Sequence, residues 1–141
     1  MCNATVLVID DDPLDRHVLK TAFEKAGINA ITLGEPLSSV DFVKEHNPDF
    51  IVLDLNMPNK SGFEVCRDLK IDSATRDIPV VFISGTENLD EENVSKSIHL
   101  GVIDYLHKPV SLDYLVEQVV KYDLVKGITD VVSPMNQEMR S

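Results

Sequence analysis

The stretch Val6-Leu7-Val8-Ile9-Asp10-Asp11-Asp12-Pro13 decides the fold, and Phe50-Ile51-Val52-Leu53-Asp54 repeats its pattern. Each is a short, wholly apolar run that stops on acid. Such a run suits a strand covered on both faces, as in a parallel sheet, better than an alternating strand with one wet side. A third run, Val102-Ile103-Asp104-Tyr105-Leu106, closes near Lys108-Pro109. The carboxyl ends of parallel strands form the ligand crevice. Carboxylates from two strands and an ammonium from a third therefore converge in one place. Crowded carboxylates raise one another's pKa unless a cation compensates, and hard oxygen ligands with room for water suit Mg²⁺. An acidic cluster with a metal and a nearby Lys is a place to handle phosphate.

Working outward, 141 residues fit one domain with a proper core. No segment approaches 18 consecutive apolar residues, so no membrane insertion is expected. Met1-Cys2-Asn3-Ala4 runs straight into the first strand without the charged and apolar regions of a signal peptide, which points to a cytoplasmic protein. Cys2 and Cys66 lack metal-ligand spacing and read as reduced thiols. The net charge of −11 disfavours direct contact with nucleic acid, whose phosphates need a cationic surface.

The order of elements reads as five strand–helix units. Strand one covers about 5–10 and the first helix roughly 13–26, with Pro13 in its first turn, Leu14, Val18, Ala22 and Phe23 on one face and Gly27 at its end. Strand two is Ala30 to Leu33, and a second helix follows Glu35-Pro36 with Val40, Phe42 and Val43 as its apolar positions. Strand three is 50–54. Ser61-Gly62-Phe63-Glu64 fits a capping box opening a third helix to about Lys70. Strand four is 79–84, with Pro79 acceptable as its first residue. The fourth helix, near 90–100, opens on Asp90, Glu91 and Glu92, which complement the helix dipole, and ends at Gly101. Strand five is 102–107, and the last helix runs from about Ser111 to Tyr122. Residues 124–141 read as a C-terminal extension or linker stub beyond a domain of 1–123. This alternation implies an α/β fold with a parallel sheet, right-handed crossovers and helices on both faces.

At this point the residues resemble a known family. Val8-Ile9-Asp10-Asp11-Asp12-Pro13, Val52-Leu53-Asp54-Leu55-Asn56-Met57-Pro58 with Gly62 beyond, Phe82-Ile83-Ser84-Gly85, and Tyr105-Leu106-His107-Lys108-Pro109 are similar to the strand-end motifs of two-component response-regulator receiver domains, over about residues 4–123. Each motif alone is a weak signal; all four, in order, are a strong one. The resemblance implies a flavodoxin-like, doubly wound (βα)5 fold with five parallel strands in the order 2-1-3-4-5. It implies that Asp54 is the phosphoacceptor, a carboxylate able to attack phosphorus and form an aspartyl-phosphate. Asp10 and Asp11, with Asp54 and the main-chain carbonyl of Asn56, would hold Mg²⁺. Lys108 and Ser84 would meet phosphoryl oxygens, and the Lys108–Pro109 peptide would be cis. Tyr105 would follow Ser84 in a switch, and Asn56 and Thr86 would tune phosphate lifetime. Asp12 reads instead as a helix cap. His17, His46, His99 and His107 read as surface or helix-end residues, not as a phosphodonor.

The resemblance further implies a histidine kinase or histidine phosphotransfer protein as donor, a downstream protein effector, and a monomer or weak dimer. Its role would be signalling, with catalysis confined to its own phosphorylation and dephosphorylation. The alternatives are a receiver-like scaffold that works without phosphorylation and a haloacid-dehalogenase-like phosphatase. The scaffold reading sits poorly with a complete set of Asp54, acid pair and Lys108. The phosphatase motif needs Thr or Val at position 14, where this chain has Leu14.

Overall fold

A computed structural model describes residues 3–85 and 91–140, with side chains described through Lys126. Five strands alternate with five helices: β1 Thr5–Ile9, α1 Pro13–Lys25, β2 Asn29–Leu33, α2 Ser39–His46, β3 Phe50–Asp54, α3 Gly62–Ile71, β4 Val80–Ser84, α4 Glu91–His99, β5 Asp104–His107 and α5 Leu112–Arg140. All pairings are parallel and the strand order is β2-β1-β3-β4-β5. The flavodoxin-like order expected from the motifs is therefore the one observed. The chain turns back on itself between β1 and β3, and this switch point opens a crevice at their carboxyl ends.

The apolar runs are explained by their burial. Val6, Val8, Phe50, Val52, Val81 and Ile83 face one core with Leu19, Phe23, Leu115 and Val119 of α1 and α5. Their neighbours Leu7, Ile9, Ile51, Leu53, Val80 and Phe82 face a second core with Val43, Val65, Cys66 and Leu69 of α2 and α3. Alternate side chains leave opposite faces of a strand. A strand with a core on each side therefore has no polar position to spare.

Local signals hold at several element ends. Asp12 caps α1, its carboxylate accepting the Leu14 N–H at 2.9 Å. Gly27 takes φ +79 just after that helix, a region that Cβ-bearing residues avoid. The Ser61 hydroxyl caps α3 by accepting the Glu64 N–H. His46 and His99 place Nδ1 against the carbonyls of Phe42 and Ser95, four residues earlier in α2 and α4, and His17 and His107 are exposed, as expected of surface and helix-end residues.

Five details differ from the sequence reading. The buried residues of α1 are Leu19 and Phe23, whereas Leu14 is 67% exposed and Val18 is also exposed. Of the expected stripe Leu14, Val18, Ala22 and Phe23, only Phe23 is buried, and the contact line against β1, β2 and α5 runs through Leu19 and Phe23. β2 begins at Asn29, which pairs with Thr5, and β4 begins at Val80, one residue after Pro79. β5 starts at Asp104: Ile103 is half exposed, so the apolar pair at 102–103 belongs to the turn into the strand. Finally, α5 continues past Tyr122 to Arg140; it passes Gly127, which costs a helix about 1 kcal/mol but does not by itself end one. Near the start of this continuation Lys126 bonds Asp49, whose other carboxylate oxygen accepts the Thr5 N–H. Thr86, Asp90 and Cys2 lie outside the described residues.

Candidate functional site

Asp54 is the last residue of the central strand β3 and is only 3% exposed. Its Oδ1 accepts the N–H of Asn56 at 3.0 Å, while Leu55 continues the sheet by donating to the Ile83 carbonyl. The turn after it is closed by Gly62, whose N–H donates to the Leu55 carbonyl. A Cβ at Gly62 would lie 2.5 Å from the Asp54 carbonyl oxygen, so only glycine lets α3 start this close behind the site. The motif glycine thus has a packing reason.

Asp10 follows β1 and is fully buried. Its Oδ1 accepts the Asp12 N–H, its N–H donates to the Leu33 carbonyl, and its own carbonyl accepts a hydrogen bond from the Arg16 guanidinium at 2.8 Å. Asp11 is exposed beside it. One carboxylate oxygen from each of Asp10, Asp11 and Asp54 lies within 4.8 Å of the others. That oxygen set, partly open to solvent, fits a hard divalent cation that keeps some of its water. The switch point brings together residues 44 apart in sequence.

Lys108 enters from the end of β5, where the Lys108–Pro109 peptide is cis, as expected. Its N–H donates to the Ser84 carbonyl. Its Nζ donates to Asp15 Oδ2 at 2.7 Å, to Asp10 Oδ2 at 3.1 Å and to Asp54 Oδ2 at 3.4 Å. Burial alone would lower the pKa of this ammonium, but the carboxylates of Asp15, Asp54 and Asp10 outweigh it and hold it above the ordinary lysine value. For Asp54 burial works the other way: with the Asp10 charge close by, it raises the carboxyl to about 6 against the opposing Asn56 N–H and Lys108.

Ser84 ends β4 and is buried, its hydroxyl accepting from the Asn56 amide at 3.2 Å. The two positions that sequence assigned to switching and to phosphate lifetime are therefore joined directly. Tyr105 packs against the second core, and its buried hydroxyl has no hydrogen-bond partner among the described residues. Gly85 leaves room: a Cβ there would make ordinary contact, 3.5 Å, with the Lys108 stem. Asp15 and Arg16 were not singled out from sequence. For Asp15 the available signal was an acid in the first turn of α1, directly after the acid cluster, which reads more simply as dipole complementation; Arg16 carried no local signal.

With this arrangement in view, comparison with known proteins is direct. The model of the response regulator receiver domain matches residues 6–120. The chain belongs to that family. This receiver is 30% identical over 119 residues to the polar-differentiation response regulator DivK of Brucella ovis, spanning 84% of this chain and 94% of that protein. The solved receiver domain of the Francisella response regulator 1452 is 30% identical, with a TM-score of 0.78 over 88% of this chain and 99% of that one. The chemotaxis protein CheY4 of Vibrio cholerae superposes with a TM-score of 0.77 over 85% of this chain and 98% of that one; at 22% identity it speaks for the fold alone. The receiver is thus a module of two-component signalling, a signalling rather than a metabolic class. No helix among its described residues is long and apolar enough to cross a membrane.

Proposed function

We propose that this receiver is a phosphorylation-driven switch that takes a phosphoryl group on Asp54 from a histidine kinase or a histidine phosphotransfer protein. The observation that carries the reading is the convergence of Asp10, Asp11 and Asp54 on one oxygen cluster with the Lys108 ammonium 3.4 Å from the Asp54 carboxylate. A carboxylate that is to attack phosphorus must be ionised, and with its pKa at about 6 Asp54 is mostly so at neutral pH. Its oxygen bonds to phosphorus as the donor's P–N bond breaks, and that bond's electron pair leaves on the donor imidazole. Lys108 meets a phosphoryl oxygen and offsets charge that develops in transfer. Asp10, Asp11, Asp54 and the Asn56 carbonyl would hold Mg²⁺, which supplies charge neutralisation to the transferring group. A groove of about 510 Å³ between α1 and the β5–α5 segment, lined by Val18, Pro109 and Leu112, lies beside Lys108 and offers room for a protein donor.

The output follows from the same residues. A phosphoryl oxygen competes with Asn56 for the Ser84 hydroxyl, and Tyr105, whose hydroxyl has no partner among the described residues, adjusts with it. Ile98 of α4, Ile103 before β5 and Tyr114 of α5 are exposed along one edge of the molecule, an apolar surface suited to an effector protein. The equilibrium between two arrangements of this edge is what phosphorylation would bias. Residues 1–123 form the receiver, 124–141 an extension, and the protein works in the cytoplasm.

Incubation with acetyl phosphate and Mg²⁺ followed by intact-mass measurement tests the reading. One phosphoryl adduct is expected, lost with chelator and lost in Asp54→Asn. An unchanged adduct in Asp54→Asn would refute the assignment.

A further inference from the structure

We propose that Asp15 is the principal resting counter-ion of Lys108, a positioning residue that shares the ammonium with the metal-binding carboxylates, draws it toward itself, and is displaced by an incoming phosphoryl group. The inference rests on the reading of Asp54 as phosphoryl acceptor. An ammonium has three hydrogens to give, and each of the three contacts of Lys108 is a carboxylate. The shortest, at 2.7 Å, goes to Asp15, not to Asp10 or Asp54. The three partners also differ in kind. Asp10 and Asp54 belong with Asp11 to the oxygen cluster able to hold a cation, whereas Asp15 does not. It stands on the first turn of α1, with its side chain about one-third exposed.

That division has two consequences of opposite sign. A divalent ion held by Asp10, Asp11 and Asp54 draws on two of the three anions that Lys108 uses, and Asp15 is the one left to it. Without Asp15 the ammonium falls back wholly on Asp10 and Asp54, where it competes with the divalent ion. The site also loses a negative charge a short distance from that ion. Both effects weaken metal binding. A phosphoryl group, by contrast, has to take Lys108 from Asp15 and to approach against its charge. Without Asp15 both obstacles disappear, so binding of a phosphoryl group strengthens. Asp15 thus trades readiness for the metal against grip on phosphate. Partial exposure screens the interaction, which keeps each effect to about three- to fivefold.

The test compares the wild type with Asp15→Asn, which removes the charge at nearly constant shape, and with Asp15→Glu, which keeps it. Mg²⁺ affinity is read by titration calorimetry. At saturating Mg²⁺, affinity for beryllofluoride, a phosphoryl mimic, is read by ¹⁹F NMR. Asp15→Asn is expected to bind Mg²⁺ about three- to fivefold more weakly and beryllofluoride about three- to fivefold more tightly, with Asp15→Glu returning both toward wild type. Asp15→Ser removes the same charge and provides the same pair of readouts if the Asn variant folds poorly. Two unchanged affinities would overturn the proposal. So would two weakened affinities, because a merely structural role lowers both together. A wild type that binds neither probe would instead sink the phosphoacceptor reading, an outcome visible before any Asp15 variant is made.

Discussion

β3 and β5 end in the same crevice but are built for different duties. Every residue of β3 is buried, and Asp54 is held by the strand, by the Asn56 N–H and by the close start of α3 at Gly62. In β5, an edge strand, no residue is fully buried, and the buried Tyr105 hydroxyl has no hydrogen-bond partner among the described residues. A group that must meet a phosphoryl donor in a fixed geometry belongs on the first kind of strand. Elements that change place are drawn from the second, where few buried contacts oppose opening. On the proposed function, the site would join a firmly held carboxylate to a more loosely packed edge, with Lys108 reaching from one to the other.

The contrast can be broken most forcefully by truncating each strand in turn. Leu53→Ala in β3 removes a fully buried side chain and is expected to cost about 3–5 kcal/mol, whereas Leu106→Ala in β5, only partly buried, is expected to cost about 1–2 kcal/mol. Urea unfolding of both variants reads the difference, and equal losses would remove the distinction between the strands.

Next in size is a pH effect at Asp54. In the metal-free fold its pKa is raised from 3.8 to about 6, so the native state keeps a proton that the unfolded chain has lost. Stability therefore falls as pH rises from about 4 to about 6 and stays lower above that window, by up to about 3 kcal/mol. Asp54→Asn has no such titration. Denaturation in chelator should show the Asn variant more stable than wild type at pH 7 and the gap closing near pH 4. A gap that does not change with pH would mean that the carboxyl is not raised.

The smallest effect sharpens the account of the edge. Tyr105→Phe deletes a buried hydroxyl with no partner among the described residues and is expected to stabilise the resting protein by about 1 kcal/mol. Thermal unfolding without phosphodonor measures it. A loss of stability would show that the hydroxyl is satisfied and that Tyr105 is anchored, not poised.

Much of the crevice was legible because its residues occupy positions with local signatures. A strand covered on both faces has to be apolar throughout, so the runs at Val6–Ile9 and Phe50–Leu53 announced themselves, and the first polar residue after each marked the strand end. Asp12 was readable as a cap because capping is an exchange between near neighbours. Phe23 was placed correctly, but the rest of the α1 face was misjudged because Leu14 and Val18 satisfy helical spacing as well as Leu19 does. Which stripe is buried depends on where α5 lies. The length of α5 was misjudged because weak periodicity resembles a chain end. Asp15 was missed because its partner is 93 residues away, and an acid in a first helical turn already has a sufficient local explanation.

What the sequence determined by itself, then, is the set of groups that one end of a parallel sheet would gather: Asp10, Asp11, Asp54, Ser84 and Lys108. Strand hydropathy is a local property, and the rule that carboxyl ends share a crevice carries it the rest of the way. Only the tertiary structure decided how that ammonium is divided among Asp15, Asp10 and Asp54, and that Asn56 holds the Ser84 hydroxyl. Hydrogen bonds of 2.7–3.4 Å between groups 28 to 98 residues apart depend on the registers and helix rotations of the whole domain, which no local pattern encodes.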